Sequence, residues 1–128
     1  MSHSYLYPLT DLADKRQGIF YDQLDAGLSE RPNNPVNWRI SRFLLEVDDL
    51  RESLNLDRVA IFGNSWGGTI AASYAAKGPA GLERLVLSSP LLNTDLWLAD
   101  NKAHRENLPP EVLSVMRQCE KEGQESSK

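Results

Sequence analysis

One serine lies in a sequence context that could make it a nucleophile. Ser65 is at the centre of the run GNSWGG, residues 63–68. This run satisfies the pattern G-x-S-x-G, in which the serine lies on a sharp turn between a strand and a helix. The turn strains the backbone, and side chains two positions before and after the serine would collide unless they were glycine. The pattern predicts an exposed Ser65 hydroxyl, with room for the turn supplied by Gly63 and Gly67 and with a further glycine at Gly68.

The residue after the serine is positioned to stabilise negative charge in the same reaction. A serine at the start of a helix lies near the positive end of the helix dipole, which favours developing negative charge. The backbone N–H of Trp66 is then expected to point to the place where an oxyanion forms. The alternative is that Ser65 only caps the helix and the glycines only make a tight turn. A dinucleotide-binding loop is excluded, because G-x-G-x-x-G does not occur at this junction.

The elements that must position Ser65 alternate between apolar runs and helix-length segments. Three short apolar runs predict buried strands, over residues 18–21, 59–62 and 82–89. Two segments predict helices, over residues 38–54 with apolar side chains spaced by three and four, and over residues 66–77 with small side chains. Strands separated by helix-length segments form a parallel sheet with right-handed crossovers, so the sequence predicts an α/β fold with three parallel strands.

The chain changes character after Pro90. Residues 91–120 predict two short helices outside the alternation of strands and helices. The end of the chain has no large apolar side chain and is predicted to be disordered. The sequence thus predicts a sheet-containing core over residues 1–92, a helical region over residues 93–119 and a tail over residues 120–128.

Composition argues against several classes of function. The chain has 128 residues, the size of one modest domain, and no apolar run approaches the ~18 residues of a membrane-spanning helix. A formal net charge of -4 argues against a nucleic-acid-binding surface, which requires clustered Lys and Arg. Cys119 is the single cysteine, so no intrachain disulfide can form, and an inert thiol in a cytoplasmic protein is predicted.

Two blocks of the sequence together resemble the proline iminopeptidase family. The first block is IFYDQ at residues 19–23 followed by GLS at residues 27–29. The second is LDRV at residues 56–59, which leads into GNSWGG at residues 63–68. The resemblance covers about residues 2–92, and the paired blocks are more specific than the serine pattern alone.

The resemblance implies a fold, an activity and the roles of two residues. Proline iminopeptidases are α/β-hydrolase-fold serine exopeptidases that remove an N-terminal residue, often proline, from peptides. The resemblance implies Ser65 as the nucleophile, the Trp66 N–H as one oxyanion donor and residues 93–119 as the start of a helical lid. No metal or organic cofactor is implied, because serine acyl transfer requires none. An esterase or another small-molecule hydrolase of the same fold is the alternative, since the serine turn determines chemistry better than substrate.

One position departs from the family pattern. Members usually have glycine where this chain has Asp25. Aspartate tolerates a left-handed backbone better than most residues, so the loop that contains Asp25 is expected to form.

The residues that would activate Ser65 are predicted to lie outside this chain. A serine nucleophile needs a histidine base and a carboxylate that orients it, in the chain order Ser, Asp or Glu, His. Only His104 follows Ser65, and Asp95 and Asp100 between them satisfy that order formally. Asp100 and His104 are four residues apart in a predicted helix, where they would pair at the surface. His104 is therefore predicted to be a solvated or lid-helix residue and not the base.

The chain is expected to be an internal piece of a hydrolase. The resemblance implies a glycine-rich loop before residues 2–6 and a further strand between those at residues 18–21 and 59–62. Without that strand, both of its neighbours have unpaired backbone groups. His3 precedes the nucleophile and is expected to lie at a frayed end. The expected partners are a peptide or small-molecule substrate and a complementary fragment, or a second copy, at the open sheet edges. A non-catalytic truncated product is the alternative to an active enzyme.

Overall fold

The computed structural model describes residues 2–121 and Gly123. The chain divides into two compact units, Met1–Pro90 and Leu91–Lys128. No helix among the described residues has both the length and the apolar character needed to span a bilayer.

The first unit contains a two-stranded parallel sheet with two α-helices. Its elements are a 3-10 helix at His3–Asp14, a short one at Pro35–Asn37, then α1 (Ile40–Ser53), β1 (Val59–Asn64), α2 (Trp66–Ala76) and β2 (Leu82–Ser88). The two strands pair in parallel, and Asn64 at the end of β1 lies opposite Ser88 at the end of β2. Because α2 connects the two parallel strands, β1, α2 and β2 form one crossover unit whose carboxyl edge lies beside Ser65.

The element types predicted around Ser65 are confirmed, but the predicted burial of the two strands is wrong, since Gly63 is the one buried residue of β1 and β2. The apolar runs at residues 59–62 and 82–89 form β1 and β2, and the segments at residues 38–54 and 66–77 form α1 and α2. β-branched side chains favour the strand at β1. Small side chains let α2 pack closely on both strands.

The prediction of a strand at residues 18–21 is wrong. This segment has no regular secondary structure, and β1 and β2 are the only strands of the sheet among the described residues. A strand forms where a neighbouring backbone completes its hydrogen bonds, and neither β1 nor β2 pairs with this segment. The predicted burial is wrong as well, since Ile19 and Tyr21 are 42% and 36% exposed.

The core of the first unit lies between the two helices and one face of the sheet. Its buried side chains come from α1 and α2 and are Phe43, Leu44, Ile70 and Tyr74. Partly buried side chains from α1 and both strands pack against them, namely Val47, Ile61 and Leu82. Phe62 and Val86 are paired neighbours on the opposite face of the sheet and are 40% and 52% exposed.

A tyrosine in this core has two polar partners. Tyr74 is completely buried, and its hydroxyl donates to Oδ1 of Asp48 at 2.6 Å. Burial raises the pKa of Tyr74, and the bond to Asp48 raises it further. Nη1 of Arg51 donates to the same hydroxyl at 2.9 Å, so the buried oxygen has both a donor and an acceptor.

The rest of the Arg51 guanidinium binds backbone carbonyls that precede both strands. Nε donates to the Leu56 carbonyl at 3.2 Å, and Nη2 donates to those of Asp57 and Ala80 at 3.0 and 2.7 Å. A Cβ at Gly81 would overlap the Asp57 carbonyl oxygen, so the two connecting segments touch. Arg51 therefore joins α1 and α2 to the amino ends of both strands.

The second unit contains two helices, α3 (Thr94–Glu106) and α4 (Pro110–Lys121). The side chain of Asn93 caps α3 by accepting from the Leu96 N–H at 2.9 Å. Nη2 of Arg105 donates to Glu120 at 2.7 Å, and this bond raises the pKa of Arg105 and lowers that of Glu120.

The tail predicted over residues 120–128 falls mostly outside the described part of the chain. Glu120 and Lys121 belong to α4, so the helix extends two residues into that range. Residues 122 and 124–128 lie outside the described residues.

We expect Arg51→Met to lower the free energy of unfolding by about 2 kcal/mol, because it removes the hydrogen bonds to Tyr74 and to three carbonyls. Urea unfolding followed by circular dichroism measures the change. Arg58→Met is the matched control, since the Arg58 side chain is 78% exposed and pairs with Glu83 at the surface. Its expected loss is below about 0.5 kcal/mol. Equal losses in the two variants would contradict the role of Arg51.

Candidate active site

Ser65 occupies a sharp turn between β1 and α2. Its backbone angles are φ 51° and ψ -119°, a conformation that non-glycine residues rarely adopt. Its N–H donates to the Ser88 carbonyl at 2.8 Å, and its own carbonyl accepts from the Thr69 N–H at 3.1 Å. The first bond fastens the turn to the end of β2, and the second begins the hydrogen bonding of α2. Ser65 itself is exposed.

The side chain of Ser65 does not cap α2. It makes no capping hydrogen bond to the helix. Asn34 and Asn93 do cap helices in this chain, with extended φ values of -100° and -142° and side chains that accept a backbone N–H. The interpretation of Ser65 as a helix cap is therefore wrong, because its backbone and its side chain both differ from those of a capping residue.

The glycines that the turn requires are Gly63 and Gly68. A Cβ at Gly63 would lie 2.7 Å from the Gly68 Cα and would overlap the Gly67 carbonyl oxygen. A Cβ at Gly68 would lie 2.9 Å from the Pro90 Cβ, whereas a Cβ at Gly67 would meet no atom within 4 Å. The prediction that Gly67 supplies room for the turn is wrong. Successive helix positions point in directions about 100° apart, and in α2 the position that faces β1 is 68 and not 67.

Trp66 begins α2, and two contacts hold its indole. Nε1 donates to Oε1 of Gln23 at 3.1 Å, and the ring packs edge-to-face on Phe43 with centroids 5.9 Å apart. The N–H groups in the first turn of a helix have no acceptor within the helix. The Trp66 backbone N–H is the first of them and follows Ser65 directly, and donors in such positions stabilise developing negative charge.

Asn64, the residue before the serine, also has a partner from an earlier part of the chain. Its Nδ2 donates to the Tyr5 hydroxyl at 3.3 Å. Both neighbours of Ser65 are therefore bonded to side chains that precede α1.

Asp22 joins the 3-10 helix at His3–Asp14 to the loop that precedes α1. Its carboxylate accepts from the backbone N–H of Leu28 at 2.9 Å and of His3 at 2.6 Å. The bond from Leu28, followed by those from His3, lowers the pKa of Asp22. A Cβ at Gly27 would overlap this carboxylate, so the loop closes on Asp22 only with glycine there. Sequence reasoning missed the hydrogen bonds to the Asp22 carboxylate, although Asp22 and Gly27 both lie in the first of the two sequence blocks that resemble the family.

The prediction that His3 lies at a frayed end is wrong. Its Nδ1 is 3.0 Å from Oδ2 of Asp22, and its side chain is 19% exposed. Its backbone N–H donates to Oδ1 of the same carboxylate at 2.6 Å, and this bond holds the segment in place. The pair has the residue types of a base and its orienting carboxylate, but Nε2 of His3 contacts the Tyr7 hydroxyl at 3.2 Å and not Ser65.

Asp25 takes the left-handed conformation that its position requires, with φ 65°. Its Oδ1 accepts from the Asn33 N–H at 2.8 Å, and its Oδ2 accepts from Nε1 of Trp38 at 2.9 Å. The loop therefore forms with aspartate, which adds two hydrogen bonds that glycine does not make.

No hydrogen bond joins the Ser65 hydroxyl to a histidine or a carboxylate among the described residues. His104 is exposed on α3, which also carries Asp95 and Asp100. Its exposure agrees with the prediction of a solvated helix residue.

Comparisons with known proteins match this chain to one fold family. A family model described as alpha/beta hydrolase fold matches residues 2–122. A curated proline iminopeptidase from Heyndrickxia coagulans is 42% identical over 118 residues, which cover 92% of this chain and 41% of that protein. The chain thus spans less than half the length of the curated relatives it matches, 41% and 44% in two of them.

Solved structures match as well. The crystal structure of VinJ is 30% identical with a TM-score of 0.88, and that of a proline iminopeptidase from Mycobacterium smegmatis is 28% identical with a TM-score of 0.85. Each match covers 98% of this chain and 44% of the solved one. These likenesses confirm the resemblance predicted from the two sequence blocks and the predicted fold class.

We expect Gly63→Ala to lower the free energy of unfolding by about 3 kcal/mol or more, because its Cβ would collide with backbone that cannot move aside. Gly67→Ala is the matched control, since it has open space and alanine favours the helix by about 0.5–1 kcal/mol. Urea unfolding of both variants gives the comparison. A loss in Gly67→Ala as large as that in Gly63→Ala would show that the close approach is assigned to the wrong residue.

Proposed function

This chain belongs to the alpha/beta hydrolase fold family, and we propose that Ser65 is the nucleophile of a serine hydrolase of the proline iminopeptidase type. Its reaction removes an N-terminal residue from a peptide by acyl transfer. The observation that carries the proposal is the turn at Ser65, where an exposed serine holds φ 51° without capping the next helix. Such strain costs about 1–3 kcal/mol and is concentrated at functional sites.

The proposed reaction has two stages. The Ser65 oxygen attacks the carbonyl carbon of the first residue of the substrate while a base takes the hydroxyl proton. The oxyanion that develops on the carbonyl oxygen is stabilised by the Trp66 N–H at the positive end of α2. The C–N bond then breaks, the shortened peptide leaves with a proton on its amine, and water releases the first residue from Ser65.

The substrate class in this proposal is supported by the relatives and not by the site. Two of the proteins that this chain resembles are named proline iminopeptidases. An esterase of the same fold would use the same serine turn, since that turn determines the chemistry better than the substrate. A test of the proposal must therefore compare an amide substrate with an ester.

A chimera in which this chain replaces the matching segment of the Heyndrickxia coagulans proline iminopeptidase tests the proposal. We expect Ser65→Ala to lower kcat for proline 2-naphthylamide about 10⁴-fold or more, because acyl transfer loses its nucleophile. Ser53→Ala, at an exposed serine that ends α1, is the matched control and should change kcat by less than about twofold.

Two outcomes would count against the proposal. Unchanged activity in the Ser65→Ala chimera would remove Ser65 from the chemistry. Hydrolysis of p-nitrophenyl acetate without cleavage of proline 2-naphthylamide would favour the esterase alternative.

We also propose that this chain is not a complete catalyst by itself and that a complementary hydrolase segment pairs with the open edge of β1. Among the described strands only β2 pairs with β1, so one edge of β1 carries unpaired backbone groups. Such an edge is a template for a further strand. The lack of a described base beside Ser65 is the second support. Pairing of two copies through the same edge is the other arrangement that these groups allow.

The purified chain is expected to give no fluorophosphonate labelling above that of its Ser65→Ala variant. Without a base the serine stays protonated, and losing triad members lowers reactivity by about 10⁴-fold. Gel fluorescence after incubation with the probe gives the measurement. Strong labelling of Ser65 in the unaccompanied chain would contradict the requirement for a complementary segment.

A further inference from the structure

Two side chains from before α1 hold the residues on either side of Ser65. The Tyr5 hydroxyl accepts from Nδ2 of Asn64 at 3.3 Å, and Oε1 of Gln23 accepts from Nε1 of Trp66 at 3.1 Å. Tyr5 and Gln23 both lie outside the β1, α2 and β2 unit that forms the turn. The turn is therefore held from outside on both flanks of the exposed serine.

The strained backbone of the turn explains why such contacts matter. A residue such as Ser65 at φ 51° keeps its conformation only where the surrounding contacts over-determine it. Within the crossover unit, the Ser65 N–H donates to the Ser88 carbonyl at 2.8 Å. The bonds from Asn64 and Trp66 add a restraint immediately before and immediately after the strained residue.

The two holding residues are themselves held together. Tyr5 lies in the same 3-10 helix as His3, and Gln23 directly follows Asp22. The His3 N–H donates to Asp22 at 2.6 Å, which joins the two segments. The contacts with Asn64 and Trp66 thus come from one connected substructure.

We propose that Gln23 and Tyr5 are positioning residues that keep Ser65 in its strained conformation, Gln23 through Trp66 and Tyr5 through Asn64. The catalytic meaning of this inference rests on the proposed function of Ser65. The restraint itself is measurable in a chain that catalyses nothing. Loss of either contact lets the turn open locally, so the Ser65 N–H exchanges faster with solvent while the far end of β1 keeps its protection.

Amide hydrogen exchange followed by NMR on the 128-residue chain tests the proposal. We expect Gln23→Leu to speed exchange of the Ser65 N–H about tenfold relative to the Val59 N–H, as loss of one side-chain hydrogen bond predicts. The Val59 N–H donates to the Gly81 carbonyl at 2.9 Å at the other end of β1, so its exchange is the reference for opening away from the turn.

The tryptophan indole signals give a second readout with an internal control. The Nε1–H of Trp66 should shift upfield in Gln23→Leu, whereas that of Trp38, which donates to Asp25 at 2.9 Å, should not move. Gln23→Glu keeps an oxygen acceptor for the indole. It should restore both the Trp66 signal and the slow exchange of Ser65, a rescue that a general packing role of Gln23 would not give.

The second residue is tested by Tyr5→Phe, which removes the acceptor and keeps the ring. Because the bond to Asn64 is longer, we expect Ser65 exchange to rise about threefold, with the Trp66 indole signal unchanged.

The proposal is overturned by unchanged Ser65 exchange in Gln23→Leu, or by equal increases at Ser65 and Val59. The same measurements can be made in a Ser65→Ala background, because that substitution removes the hydroxyl and keeps the backbone N–H at position 65. These exchange rates therefore test only the restraint on the turn. The chimera assay tests the chemistry of Ser65, so a failure of one proposal is distinguishable from a failure of the other.

Discussion

The structure depends on the close approach of two backbone segments at the turn between β1 and α2. Ser65 alone separates the strand from the helix, so the backbone at Gly63 passes against Gly67 and Gly68 with no space for a Cβ. At this single connecting residue the backbone takes a φ of 51° and a ψ of -119°, a conformation that non-glycine residues rarely adopt. The Ser65 N–H donates to the Ser88 carbonyl at the end of β2, and Ser65 is exposed.

The crossover unit is held at both ends by different means. At its carboxyl edge the Ser65 N–H donates to the Ser88 carbonyl, and Gly68 lies so close to Pro90 that a Cβ would be 2.9 Å from the Pro90 Cβ. At its amino edge the Arg51 side chain donates hydrogen bonds to backbone carbonyls that precede both strands and to the hydroxyl of buried Tyr74. Polar groups near the core are paired there, so the burial of Tyr74 is not opposed by an unsatisfied oxygen. The exposed serine is therefore presented by a unit whose other end is tied down.

The described segment before α1 supports the turn although it contributes no strand to the sheet. Asp22 gathers backbone donors from the 3-10 helix and from the following loop, and the side chains of Tyr5 and Gln23 reach both neighbours of Ser65. Asp25 fills a left-handed position and binds Trp38. These hydrogen bonds hold the segment in place, although no strand forms over residues 18–21.

The sequence by itself determined the elements whose signals are local. Apolar periodicity located α1, short apolar runs located β1 and β2, and the serine pattern located the turn, because these features depend on residues close in the chain. Tertiary structure decided what depends on distant neighbours. Residues 18–21 form no strand because no strand pairs with them, Gly68 and not Gly67 meets Pro90, and His3 is ordered because Asp22 binds it. The partners of Trp66 and Asn64 lie 43 and 59 residues away, a separation that no local pattern encodes.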